Sequence, residues 1–363
     1  MKIISYSLLL AAAACGMALG QTAYTTPVGY VTQSCAANSD TIVGLPLRVA
    51  AVGAAALSAA PDTSTTPGSA ILALSGTPGF TVNAFANAYY IKFSSGVSTG
   101  QWFVVTANTA NTLTINLNGA TLTAATADSL SVIKFWTLAE LVNPATATTD
   151  PLTTPGAVVA STSTLASGRR TEFLIPNFAG AGINSAPITN YYVNGGVWKK
   201  AGAGSTSFDT DQLWPDTYFI IRNPSAVTSA TTFTVSGEVD PSTINVPLFT
   251  QATIAQDNFI GLPRPVDVTL NNLGLGGTSA FLDSTSTLAS GRRDELLTFD
   301  NSVAVTNKAP SANYYRNGGI WKKAGNGSID VGTDVITAGF GFIIRKYKSG
   351  TGATQNWSNP PAY

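Results

Sequence analysis

The sequence predicts an all-β protein: two duplicated antiparallel β-sandwich or barrel-like domains, with a small all-β domain inserted in the first copy. Three observations carry this expectation. The ten residues 161–170 recur letter for letter as 284–293, and a shift of 123 aligns 161–222 with 284–345 without a gap, 35 of the 62 positions being identical. Identity over so long a stretch is duplication. Apolar residues recur with the period of a strand, as where Leu113, Ile115 and Leu117 alternate with Thr112, Thr114 and Asn116. Asn194-Gly195 and Asn317-Gly318, flanked by Tyr, Val, Ile and Trp, supply the positive φ angles that tight primed hairpins need.

Taken in order, the chain opens with Lys2, an apolar run over 3–17, and the small residues Ala18 and Gly20. This reads as a secretory signal peptide over 1–20, with a lipoprotein acylated at Cys15 as the alternative. The run is too short to span a bilayer, and no later run approaches the roughly 20 apolar residues that a span requires. The expected location is secreted, extracellular or on the periplasmic–outer surface of a bacterium. A short strand is expected at 29–32. The segment 40–48 has a counterpart at 257–265, offset by 217 rather than 123. The difference of 94 residues places an inserted domain, a small β-barrel or sandwich, near 50–143. The first β domain then comprises 24–48 plus 144–250, and the second 251–363.

Within the insert, 89–93, 102–106, 113–117 and 128–136 read as strands because they are aromatic, β-branched or alternating. A helical turn at 137–142 closes it, stopped by Asn143-Pro144. The first copy continues with strands at 172–175, the hairpin 191–200, and strands at 218–222 and 231–239. The second repeats the plan with 295–297, the hairpin 314–323 and a strand at 340–345. An edge strand with terminal prolines ends the chain.

The opening Thr26-Pro-Val-Gly-Tyr-Val-Thr32, the segments 40–46, 102–113 and 135–138, the two hairpins, the two Phe-Ile-Ile-Arg strands and 257–268 together resemble an uncharacterised family of secreted, highly paralogous proteins of Verrucomicrobia and related bacteria. The resemblance spans nearly the whole mature chain. It implies secretion, and it implies no catalytic residues, since that family carries no assigned activity.

Composition narrows the chemistry. Charged residues make up 10% of the chain, against about 25% in ordinary domains. With a formal net charge of zero there is no basic field to hold a phosphate backbone, so nucleic acid is excluded as a partner. Weak charge also leaves little protection against self-association. Histidine is absent, which rules out Ser-His-Asp and Cys-His catalysis and the usual zinc sites. Cys15 and Cys35 cannot form a disulfide framework, and Cys35 is expected as a buried thiol. No cofactor is expected.

Glu172 and Glu295 follow the Arg pairs 169–170 and 292–293 closely enough for local salt bridges. Asp209 with Asp211, and Asp330 with Asp334, lack a full calcium-loop pattern and read as turn residues. Gly274, Gly276 and Gly277 lie outside any phosphate-loop pattern. The candidate ligand-binding residues are Tyr192, Trp198 and Arg170 with their copies Tyr315, Trp321 and Arg293. Aromatic faces on exposed hairpins stack on sugar rings, and an Arg fork binds anions. Against that stands strand alternation, which turns half of such side chains inward and favours a core Trp under each hairpin. The expected function is a non-enzymatic, structural or interacting protein of the cell envelope or extracellular matrix, self-associating or bound to cell-surface glycans. The alternative is a carbohydrate-binding module using the Tyr/Trp hairpins.

Overall fold

The computed structural model describes residues 26–361 except 151, 153 and 155. The expected signal peptide and Cys15 lie outside the described residues. Among these the fold is all-β, built of antiparallel sheets that are open rather than closed barrels.

Two five-stranded sheets carry the duplication. The first orders its strands Val197–Lys200, Thr189–Asn194, Glu172–Ile175, Tyr218–Asn223, Ser39–Gly44. The second orders Ile320–Lys323, Ala312–Asn317, Glu295–Thr298, Gly341–Lys346, Gln256–Gly261 in the same way. Each sheet is covered by a two-stranded ribbon, Val28–Cys35 with Thr231–Glu238 in the first copy and Ile244–Leu248 with Gln355–Asn359 in the second, so the boundary between the copies falls before Ile244 and not at 250. Alternation explains the ribbon: Thr231, Phe233 and Val235 are buried while Thr232, Thr234 and Ser236 are exposed. The first core joins Phe233, Val235 and Cys35 of the ribbon to Phe173, Trp198 and Phe219 of the sheet. The second joins Val246, Leu248 and Trp357 to Leu296, Trp321 and Phe342. Each copy is thus a two-layer sandwich. Burial pushes the Cys35 thiol up to about 11, as expected of an inert core cysteine.

A third, six-stranded sheet consists wholly of strands between 51 and 134, in the order Ala51–Ala56, Ser129–Lys134, Tyr89–Phe93, Trp102–Asn108, Thr112–Asn116, Ser69–Ala73. It has its own core around Phe93, Val105, Leu113 and Leu130. Two of its strands, Ala51–Ala56 and Ser69–Ala73, escape sequence reading because alanine and serine carry little strand signal.

The turn at its end needs correction. The sequence places 137–142 in the insert, but the helix Leu138–Leu141 packs Leu138, Leu141 and Val142 into the first sandwich. Its counterpart is the 3-10 turn Leu270–Leu273, offset by 132, and both turns follow a short strand, Trp136–Thr137 and Val268–Thr269. The second copy therefore lacks 85 residues before this turn (217 less 132) and nine after it (132 less 123). The insert ends before the turn, not at 143.

The two sandwiches meet across a seam with approximate two-fold symmetry. Arg222 grips Asp40 with two bonds of 2.7 Å and reaches over to Asn307 of the other copy at 2.8 Å. Arg345 grips Asp257 at 2.7 and 3.0 Å and reaches to Asn184 at 2.9 Å. The backbone repeats this reciprocity: Gly44 N–H donates to Gly339 (2.8 Å) and Gly261 N–H to Asp216 (3.1 Å). Between them lies a shared apolar layer of Ile42, Tyr218, Phe259, Leu297 and Ile343. Each copy stands to the other as subunits do in an isologous dimer.

Candidate functional site

The ten-residue block closes a loop onto its hairpin, identically in both copies. Ser161 Oγ accepts the Arg170 N–H at 3.0 Å, and Ser284 Oγ the Arg293 N–H at 3.1 Å. The hairpin tyrosines, Tyr192 and Tyr315, donate to the carbonyls of Thr164 and Thr287, both at 3.2 Å. Arg169 lies 5.0 Å over the Tyr192 ring and 3.4 Å from Glu172; Arg292 lies 4.8 Å over Tyr315 and 3.7 Å from Glu295. The guanidinium is sandwiched between a carboxylate and a π face. It is the first Arg of each pair that ties the turn to its Glu. The second does something else: Arg170 donates to the Arg169 carbonyl at 3.0 Å, and Arg293 is exposed.

The candidate aromatic residues do not form an open sugar platform. Trp198 and Tyr192 are 0% and 1% exposed, Trp321 and Tyr315 1% and 0%. Strand alternation turns Trp198 and Trp321 into the sandwich cores, where Trp198 Nε1 donates to the Val142 carbonyl at 3.0 Å, and turns Tyr192 and Tyr315 to the opposite face of each sheet, where the ten-residue block covers them. Neither Arg170 nor Arg293 lines either of the two cavities described below. The aspartates are also engaged. Asp211 and Asp334 accept from the Tyr191 and Tyr314 hydroxyls at 2.5 and 2.9 Å, Asp209 from the Trp198 N–H at 2.8 Å, and Asp330 from the Gly332 N–H at 2.9 Å. Among the described residues no cluster of three or more His, Cys, Asp or Glu side chains could hold a metal.

Sequence reading misses a different place, the junction of the insert with both copies. Lys92 of the insert is buried and bonds Asp240 at 2.5 Å and Ser242 at 2.7 Å. Burial lowers its ammonium to about 8, against the upward pull of Asp240. Beside it Arg264, 0% exposed, spends its guanidinium on Asn359 Oδ1 and on the carbonyls of Asp240, Ser242 and Asn359, at 2.6–3.0 Å. One signal is present in the sequence: Arg264 stands where the first copy has Leu47.

Asp216 is the second feature of this junction. Trp102 Nε1 donates to it at 3.1 Å, and none of the ion pairs among the described residues includes it. Burial lifts its carboxyl to about 6, the Trp102 bond pulling the other way. Its neighbour Trp214 packs against Trp102 (5.6 Å between ring centres) and Phe135 (5.5 Å) yet stays 42% exposed. Two cavities flank this turn. One is lined by Arg48, Tyr90, Lys92, Trp102, Asp216 and Asp240 among others. The other, with about 220 Å³ open to the centres of water-sized molecules, is lined by Trp214 and by residues of the first sheet.

Comparison with known proteins adds no name: no family model, no curated protein and no solved structure matches the chain.

Proposed function

We propose that the chain is a secreted or cell-surface β-protein without enzymatic activity, with a structural or interacting role in the cell envelope or extracellular matrix. The observation that supports this most is the use of the duplicated polar residues. In both copies the block's Ser, Arg and Glu, the hairpin Tyr and the following Asp serve one another rather than a shared cleft. Selection that preserves such a block preserves a building unit. A net charge of zero and a charged fraction of 10% favour close packing of like copies.

The test is cell fractionation with an antibody to the chain, followed by sedimentation and electron microscopy of the purified protein. The expected outcome is protein in the envelope or culture fluid and concentration-dependent assembly. Retention in the cytoplasm, or a monomer at high concentration with no sheets or filaments, overturns the reading.

A further inference from the structure

The cavity beside Trp214 is present where the two copies part company. Thirteen residues line it. Aligned with the second copy, only Leu45, Tyr191 and Phe219 are kept, as Leu262, Tyr314 and Phe342, whereas over half of the 62 aligned positions are identical elsewhere in the unit. The retained three are core residues, each less than 8% exposed. The changed ones make the cavity: Phe178, Gln212, Trp214 and Thr217 stand where the second copy has Asn301, Val335, Thr337 and Phe340. Asn301 is there consumed by both backbone bonds to Ile42, at 3.0 Å each.

We propose that this cavity binds a neutral sugar ring. Its lining contains no charged side chain, which leaves an ionic ligand without a counter-charge. Trp214 offers a half-exposed indole, and sugar C–H faces pack on such π faces. Hydrogen-bonding capacity remains along the wall. Gln212 Nε2 is held by the Asn87 carbonyl at 2.6 Å, which fixes the amide and leaves its oxygen as an acceptor. The Trp214 indole N–H and the Thr189 hydroxyl bond no other described residue. A purely apolar ligand would leave these groups unpaired, whereas the hydroxyls of a pyranose satisfy them. The insert takes part by holding Trp214 from behind through Trp102 and Phe135, and by holding Gln212 through Asn87.

The experiment titrates the full chain with neutral methyl glycosides of glucose, galactose, mannose and N-acetylglucosamine, reading tryptophan fluorescence and heat. At least one glycoside is expected to give a saturable shift in the millimolar range or tighter. Thr217→Phe, which installs the second copy's residue and fills the space, and Trp214→Thr are expected to weaken it at least tenfold. Gln212→Val, an exposed change, is expected to weaken it several-fold with an unaltered unfolding temperature, so a folding defect in the other two does not decide the matter. Arg293→Ala, remote in the second copy, should bind as the parent does. No response to any glycoside, binding that survives both Thr217→Phe and Gln212→Val, or a response to apolar peptides alone overturns the proposal.

Discussion

Gly44 and Gly261 face each other across the seam: a Cβ built on Gly44 would stand 2.7 Å from the Gly261 Cα, and one on Gly261 2.8 Å from the Gly44 Cα. These positions correspond in the two copies. The near two-fold axis therefore passes where backbone meets backbone, and only glycine leaves room.

Gly44→Ala and Gly261→Ala are each expected to cost about 2–3 kcal/mol, since backbone cannot step aside as a side chain does. Gly53→Ala, where the nearest atom is a Phe80 ring carbon at 3.5 Å, serves as the control. Thermal unfolding followed by circular dichroism measures all three. Parent-like midpoints for both seam variants would remove the close approach from the account.

Buried Lys346 and Asp294 form an ion pair, and Lys346 also donates to the Ala280 carbonyl at 2.6 Å. The first copy has Asn223 and Thr171 at these places, joined by a 2.7 Å hydrogen bond. Asp294→Thr alone strands a buried ammonium and is expected to cost about 3–5 kcal/mol. Adding Lys346→Asn restores the neutral pair and should recover most of it. A double-mutant cycle in denaturant reads the difference, and simple additivity would refute the exchange.

The two hairpin tryptophans differ in one bond. Trp198 donates to Val142, whereas the Trp321 indole nitrogen is buried with no partner. Trp198→Phe strands a carbonyl and should cost about 1–2 kcal/mol more than Trp321→Phe. Equal losses in urea unfolding would contradict this.

Asp216 sets a pH dependence. Its carboxyl titrates near 6 in the folded chain and at the ordinary 3.8 when unfolded. Below pH 3.8 both states hold the proton, so no penalty applies. Between 3.8 and 6 the unfolded chain releases it first, so stability contributed by this group falls as pH rises, by roughly 3 kcal/mol in all. Asp216→Asn is expected to flatten that segment of the stability profile. Lys92, Asp240, Arg48 and Tyr90 line the same cavity and remain in the variant, so the difference between the two profiles isolates Asp216. Parallel profiles from pH 4 to 6.5 would count against it.

Much of the fold is legible in the sequence because strand period and hairpin turns are local. Leu113 and Ile115 declare themselves within a few residues, and so do the hairpins, although their positive φ angles fall on Gly195-Gly196 and Gly318-Gly319 rather than on Asn194 and Asn317, which end the strands. The salt bridges to Glu172 and Glu295 were legible for the same reason. The alanine strand Ala51–Ala56 was not, since its pairing with Ser129–Lys134 is settled by partners far along the chain. The burial of Trp198 and Trp321 is a matter of which face the sheet presents, and alternation alone leaves that choice open. Asp216 and Trp214 carried a readable mark only in comparison with Gly339 and Thr337, and their importance came from the insert that packs on them.

The insert's two ends also bear on how the chain finds its fold. Ala51 pairs with Ile133, so the strand that follows Arg48 lies against the one that leads to Trp136. Once the insert has formed, those ends are already side by side. The ribbon strand Val28–Cys35 must still find Thr231–Glu238, some two hundred residues on. The effective contour between them is shortened by the whole insert, which reduces the loop-closure entropy opposing that late pairing. An early-folding insert thus acts as a splint, and the duplicated sandwich closes around it as though the intervening chain were short.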